Sequence, residues 1–166
     1  MQKMVLQLLA DNNSGVLSRI SGFFSRRGYN IESITAGVTA DPKYSRITIV
    51  TCGDEEIIEQ IEKQVAKLED VRDVKELPFD SSVHRELCLI KVRCAASERE
   101  DMVSLAGIFR GNIIDVGSDS VIIEITGNQS KIDAFIGLLD GHEILEVART
   151  GIAGLSRGSE NVTYLP

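Results

Sequence analysis

The residues best suited to binding a small molecule stand between an apolar run, Met4 to Leu9, and the helical pattern that follows it. Asn12, Asn13 and Ser14 are residue types that cap a first helical turn. Gly15 allows the backbone to approach a ligand closely. The first N–H groups of a helix have no partner within it and lie at the positive end of its dipole, so this turn can hold a carboxylate. On the residues alone two interpretations stay open, a capped helix start or an anion site.

The helix after this turn is amphipathic. Val16, Ile20 and Phe24 recur every four residues and therefore share one face. Gly28 follows the pattern at the position where glycine commonly ends a helix. We therefore predict a helix over residues 15–27.

A second amide side chain, Asn30, stands just before the next strand, which begins at Ile31. Asn12 and Asn30 flank the predicted helix at opposite ends. One copy of the chain does not easily bring both amides to one ligand, whereas two copies side by side can.

The other reactive side chains form no pattern that supports catalysis or metal binding. His84 and His142 are far apart in the sequence, and neither has a second ligand or a base at a suitable spacing. Cys52, Cys88 and Cys94 are an odd set without a CxxC spacing, which is typical of a reducing compartment. The sequence also lacks a nucleophile elbow, a Walker loop and an HExxH motif. We therefore predict no catalytic residue and no metal ligand in this chain.

The composition excludes two classes of partner. The net charge of −7 leaves no basic excess with which to bind a phosphate backbone, so we expect no nucleic acid. No segment approaches the roughly 18 consecutive apolar residues of a membrane span, and the N-terminus lacks a signal-peptide pattern. We expect no membrane partner and a cytoplasmic location. The 43% of hydrophobic residues is ample for a globular core.

Apolar periodicity predicts the same order of elements twice, strand, helix, strand, strand, helix, strand. In the first half the elements fall at 3–9, 15–27, 31–39, 45–52, a helix after Asp54, and 71–77. In the second half they fall at 86–94, 97–109, 113–116, 120–126, 130–139 and 144–150. The predicted fold class is therefore α+β, with two tandem ferredoxin-like βαββαβ domains.

The predicted domain boundaries follow from this repeat. Residues 1–77 form the first domain, 78–84 a linker that contains proline, aspartate and serines, and 85–158 the second domain, followed by a tail at 159–166. Val5, Leu9 and Val50 alternate with the core-facing residues of their strands, so the outward face of the first sheet is apolar and is expected to be buried against a partner.

Several ordered segments resemble one known family. GVLSRI, FFSRRGYNIES, SRITIV and GDE in the first half resemble an ACT domain, a module that senses small molecules. Together with HRELCLIKV, IFRGNIIDV, ITGNQSKIDAF and EVARTGIAGLSRG in the second half, they make the chain similar, from about residue 1 to 158, to the small regulatory subunits of acetolactate synthase, also called acetohydroxyacid synthase.

The resemblance implies a binding site for a branched-chain amino acid, valine foremost, at a dimer interface. The residues that match the ACT motif are Asn12, Gly15 and Val16 on one protomer, with Asn30 and Ile31 on the other. Backbone N–H groups would take the ligand carboxylate, an amide oxygen would accept from its ammonium, and Val16 and Ile31 would form the apolar wall.

The resemblance also implies a role without catalysis. Such a subunit stimulates the large catalytic subunit of acetolactate synthase, in the biosynthesis of valine, leucine and isoleucine, and confers feedback inhibition on it. It is expected to form a homodimer through its ACT domains and to hold no cofactor, while thiamine diphosphate, magnesium and FAD belong to the catalytic partner. An alternative is an ACT-type amino-acid sensor that regulates a different metabolic enzyme. A small enzyme on this scaffold and a nucleic-acid-binding module fit less well, because the catalytic cluster and the basic face are missing.

Overall fold

The computed structural model describes residues 2–160. The chain divides into two units, which we call the first unit and the second unit. Among the described residues, the first unit comprises 2–84 and 152–160, and the second unit comprises 85–151.

The first unit is one antiparallel sheet with two helices. Its elements are β1 (Gln2–Asp11), α1 (Val16–Arg26), β2 (Ile31–Val38), β3 (Tyr44–Gly53), α2 (Glu55–Val65) and β4 (Val71–Glu76). The strand order is β2-β3-β1-β4, so β1 and β3 are central and β2 lies at an edge. β1 and β3 pair along their full lengths, from Gln2 opposite Gly53 to Asp11 opposite Tyr44.

The core of the first unit lies between this sheet and the helices. Leu6 and Leu8 from β1, Ile20 and Phe24 from α1, and Ile61 from α2 belong to one cluster, and each is fully buried. Alternation along β1 and the spacing of four along α1 bring these residues to the shared interior. Burying a side chain of this size stabilises the fold by about 1.5–3 kcal/mol.

The opposite face of the first sheet is covered by a later segment of the same chain. Val5 and Val50 form a buried cluster with Leu77 and Ile152. The short strand β9 (Ala153–Ser156) follows Ile152 and pairs with β5 (Ser82–Arg93). The Gln7 side chain donates a hydrogen bond of 2.6 Å to the Gly154 carbonyl. The apolar outward face predicted from the sequence is thus buried, but by residues of this chain.

The second unit repeats the architecture of the first. The remainder of β5 is followed by a 3₁₀ turn (Ala96–Glu98), α3 (Arg99–Ile108), β6 (Asn112–Val116), β7 (Ser120–Gly127), α4 (Gln129–Leu138) and β8 (Ile144–Arg149). The strand order β6-β7-β5-β8 matches the order in the first unit. Ile90, Ile123 and Phe135 are fully buried in its core, where Cys88 and Cys94 also lie.

The predicted fold class, two βαββαβ units of α+β type, is confirmed, and the predicted elements lie within a few residues of the observed ones. The division of the chain differs from the predicted domains in two places. Residues 152–158, predicted in the second domain, lie with the first unit, and β9 was not predicted. The predicted linker 78–84 contains the start of β5, where Ser82 and His84 are buried. Most of the predicted tail, 161–166, lies outside the described residues.

Candidate functional site

The turn between β1 and α1 depends on Gly15. This residue is the N-cap of α1 and has φ 85° and ψ −7°, in the left-handed region. An added Cβ would also lie 2.9 Å from the Arg19 Nη1 atom. Glycine adopts this conformation without steric cost, whereas other residues do so with strain. The sequence therefore indicated this turn correctly.

The sequence left open whether a side chain caps α1. The N-cap residue is Gly15, and it makes no side-chain cap hydrogen bond. The Asn12 amide instead fastens the turn to the β2–β3 hairpin, since its Nδ2 donates 2.9 Å to the Pro42 carbonyl and its Oδ1 accepts from Ser45 Oγ at 3.1 Å. The Val16 N–H makes only a long bond, 3.4 Å, to the Asn13 carbonyl. The Asn12 side chain thus positions the turn, while the Val16 N–H at the start of the helix is only weakly hydrogen-bonded.

Two ion pairs fix the ends of the turn to β4 and the residues before it. Arg72 contacts Asp11 through two hydrogen bonds, one of them 2.7 Å from Nε to Oδ1. Arg19 contacts Asp70 in the same way, at 2.6 and 3.0 Å. These hydrogen bonds hold the pKa of both carboxyl groups below the usual range. The turn is therefore set in position from both sides.

A small pocket of about 190 Å³ opens beside this turn. Its lining combines a polar and an aliphatic part, formed by Asp11, Asn12, Asn13, Val16, Leu17, Ala36, Ser45 and Ile47. The pocket is smaller than the 300–1,000 Å³ of sites for drug-sized ligands. A molecule that fits here is small, with a polar end and an aliphatic end.

The structure brings some of the predicted site residues together and not others. Asn12 and Val16 line the pocket, and Gly15 lies between them in the chain. Asn30 and Ile31 lie beyond the other end of α1, where the Asn30 carbonyl accepts 2.6 Å from Thr51 Oγ1. Within one protomer the five residues do not converge, as their positions in the sequence predicted.

Sequence reasoning missed the pocket residues contributed by β2 and β3. Ala36 and Ile47 are paired across these strands, and Ser45 follows the hairpin turn. Alternation along each strand shows which residues share a face, but no local signal shows that this part of the sheet adjoins the β1–α1 turn.

Two negative findings concern the part of the chain that the structure describes. Between residues 2 and 160, no group of three or more His, Cys, Asp or Glu side chains is arranged to hold a metal ion. No helix in the same range is long and apolar enough to cross a membrane.

Comparison with known proteins identifies the family. A family model described as the AHAS small subunit-like ACT domain matches residues 6–73, where AHAS stands for acetohydroxyacid synthase, and one described as the small subunit of acetolactate synthase matches residues 85–158. The chain is 48% identical over 159 residues to the acetolactate synthase isozyme 3 small subunit of Salmonella typhimurium, covering 95% of this chain and 98% of that protein. This chain belongs to the family of acetolactate synthase small subunits.

Other members of the small-subunit family show how widely the likeness extends. The probable acetolactate synthase small subunit of the archaeon Methanothermobacter thermautotrophicus is 45% identical over 159 residues, which is 95% of each chain. The crystal structure of the acetolactate synthase small subunit from Thermotoga maritima superposes with a TM-score of 0.88 at 43% identity, covering 96% of this chain and 99% of that one. The resemblance stated from the sequence is confirmed, and the β1–α1 pocket lies in the ACT domain.

Proposed function

We propose that this chain is the non-catalytic regulatory subunit of acetolactate synthase. In this role it stimulates the large catalytic subunit and confers feedback inhibition by branched-chain amino acids, valine foremost, in the cytoplasm. Membership of the small-subunit family supports the partner. The single observation that carries the feedback role is the β1–α1 pocket of the ACT domain, with its polar and aliphatic walls.

The proposed ligand is a free amino acid because both of its charged groups have suitable partners. The backbone N–H groups of Gly15 and Val16, of which the Val16 group makes only a long bond, would take the carboxylate at the positive end of α1. The Asn12 amide oxygen, which already accepts from Ser45, has a second lone pair for the ammonium. Val16 would contact a branched side chain.

The second half of the site would come from another copy of the chain. Asn30 and Ile31 follow the far end of α1, where the edge strand β2 begins, and they do not line the pocket of their own protomer. In a homodimer formed through the ACT domains, the Asn30 amide would contact the ligand of the neighbouring protomer and Ile31 would complete its apolar wall. Ligand binding and dimerisation are then coupled.

The proposal assigns no cofactor to this chain. Thiamine diphosphate, magnesium and FAD would be held by the catalytic partner, where pyruvate is condensed with a second 2-oxo acid. The part of this chain would be to bind the partner and the effector and to change the equilibrium between conformations of the complex.

Reconstitution with the large subunit tests this function. Acetolactate formation is measured with the catalytic subunit alone, with this chain alone, and with both, and valine is then titrated into the mixture. The chain alone should give no product, the mixture should exceed the catalytic subunit, and valine should remove most of that gain. Turnover by this chain alone, or a mixture that valine leaves unchanged, would contradict the proposal.

A further inference from the structure

A cleft in the second unit collects positive charge. It has a volume of about 390 Å³ and is lined by Arg85, Arg110, Thr126, Gly127, Asn128 and Lys131. Three of these six residues are cations and none is an acid, although the whole chain carries 25 acidic and 18 basic residues. Such a concentration of one charge in an acidic protein favours an anionic occupant.

The cations reach the cleft from β5, from the turn after α3 and from α4, around the end of β7. Glu86 pairs with Gly127, so Arg85, one residue earlier, lies beside the start of α4. Asn112 pairs with Glu124, so Arg110 lies on the other side of the same strand end. Lys131 approaches from the first turn of α4. Because they are far apart in the sequence, their convergence is a product of the fold.

Lys131 is held in place by contacts that leave donors on its ammonium. Its Nζ donates 2.9 Å to the Thr126 carbonyl, and its backbone N–H donates 2.9 Å to the Asn128 side chain, which caps α4. The aliphatic part of the side chain lies over Gly127, where an added Cβ would come 2.5 Å from Lys131 Cδ. An ammonium has three donors. The Lys131 ammonium at the cleft therefore keeps donors for an anion after its bond to the Thr126 carbonyl.

Arg110 occupies a backbone conformation that normally belongs to glycine. Its φ is 54°, and it is the non-glycine residue with positive φ among those described. It follows the end of α3 and is fixed by Gly111, whose N–H donates 2.7 Å to the Ala106 carbonyl and where a Cβ would lie 2.8 Å from the Glu124 carbonyl oxygen. Arginine at such a position costs conformational energy. This cost is consistent with a binding role for the Arg110 guanidinium in the cleft.

We propose that this cleft binds a small anion that carries a phosphate group, with Arg85, Arg110 and Lys131 as its cationic ligands. Three positive charges match an anion with more than one negative charge, and the planar guanidinium groups suit two-point contact with phosphate oxygens. An amino acid is a poor occupant, because the lining offers its ammonium no carboxylate. The site is therefore distinct in chemistry from the β1–α1 pocket and does not depend on the proposed function.

Calorimetric titration of the full-length chain with inorganic pyrophosphate tests the proposal, in a buffer of constant ionic strength without divalent metal. We expect saturable binding at one site per chain, weakened at least about tenfold in Lys131→Gln and in Arg110→Gly. Arg110→Gly removes the guanidinium and relieves the positive φ, so its loss of binding would not reflect misfolding. Lys67→Gln, which removes an exposed cation of the first unit, should bind like the wild type.

Two results would overturn the proposal. The first is the absence of saturable binding, or equal affinities in Lys131→Gln and Lys67→Gln, which would mean that only the general charge of the chain is sensed. The second is acetate binding as tightly as pyrophosphate, which would exclude a phosphate site. A folded protein in each case is verified by circular dichroism.

Discussion

At the scale of single residues, the β1–α1 turn depends on the backbone of one glycine and the side chain of one asparagine. Gly15 supplies the left-handed conformation, and Asn12 fastens the turn to the β2–β3 hairpin. A replacement at Gly15 therefore acts on the turn before it acts on any ligand. The role of the turn in folding and its proposed role in binding therefore need separate variants.

Gly15→Ala should lower the free energy of unfolding by about 1–2 kcal/mol, because alanine is strained at φ 85°. Urea denaturation measures this change. Gly37→Ala is the matched control, since a Cβ there meets nothing within 4 Å and no positive φ is involved. If Gly15→Ala is as stable as the control, the turn does not require glycine.

Asn30→Ala should separate feedback from folding. The bond that holds Asn30 uses its backbone carbonyl, which alanine retains, so the variant should stay folded and still stimulate the catalytic subunit. Loss of a hydrogen bond to the ligand ammonium should cost about 1.5–3 kcal/mol, roughly a ten- to hundredfold rise in the valine concentration needed for inhibition. Wild-type inhibition in this folded variant would remove Asn30 from the site.

His84 should make the stability of the chain depend on pH. Burial lowers the pKa of its imidazole from 6.5, and its Nε2 lies 2.7 Å from Ser82 Oγ. The unfolded chain therefore takes up a proton at a higher pH than the folded chain, and the stability contributed by the neutral ring is lost as pH falls below 6.5 toward the folded pKa.

Urea denaturation at about pH 7.5 and about pH 5.5 measures this effect. The free energy of unfolding should fall more between these two conditions in the wild type than in His84→Gln. His142→Gln serves as the control for loss of a histidine elsewhere. Equal pH dependence of the wild type and His84→Gln would show that other groups cause the change.

At the scale of elements, β9 and Ile152 complete the first unit. Without them Val5 and Val50 would face solvent, which explains why an apolar pattern appears on both faces of β1 and β3. The first unit is therefore formed by two separate parts of the chain, and the second unit is inserted between them.

Ile152→Ala should destabilise the protein by about 2–5 kcal/mol, because it leaves a cavity in a cluster where Ile152 is 1% exposed. Leu155→Ala, at a residue of the adjoining strand β9 that is 63% exposed, should change stability by less than about 0.5 kcal/mol. Thermal or urea unfolding compares the two. Similar effects in both variants would mean that the cover over Val5 and Val50 contributes little.

At the scale of the whole molecule, we expect the edge strand β2 to be where the proposed dimer of ACT domains forms. The C-terminal end of β2, residues 36–38, is exposed, and Val38 is 60% exposed. An edge strand presents unpaired backbone groups that a second copy can meet. This surface lies near both Asn30 in the chain and the pocket residue Ala36, so dimerisation there would combine the two halves of the proposed site.

Val38→Asp should weaken the homodimer and the response to valine together, since a charge at the edge opposes its pairing. Leu138→Asp is the control, because Leu138 is 56% exposed and belongs to the second unit. Sedimentation velocity over a range of concentrations measures the association. A Val38→Asp protein that remains as dimeric as the control would place the interface elsewhere.

The sequence by itself determined the order of elements, the inner face of each and the glycine turn before α1. These features are written in local patterns, since periods of 2 and 3.6 and a glycine at a helix start reflect the geometry of a few neighbouring residues. The family could also be recognised from the sequence, because many short segments match in order along nearly the whole chain.

Only the tertiary structure decided which distant segments meet. Gln7 and Gly154 are 147 residues apart, and Arg85, Arg110 and Lys131 come from three separate segments of the chain. No local periodicity therefore predicts the Gln7–Gly154 bond or the shared cleft. The same holds for Asn12, which looked like a helix cap but bonds to the β2–β3 hairpin. Such contacts depend on which surfaces are complementary once the sheets have formed, and that is a property of the packed fold.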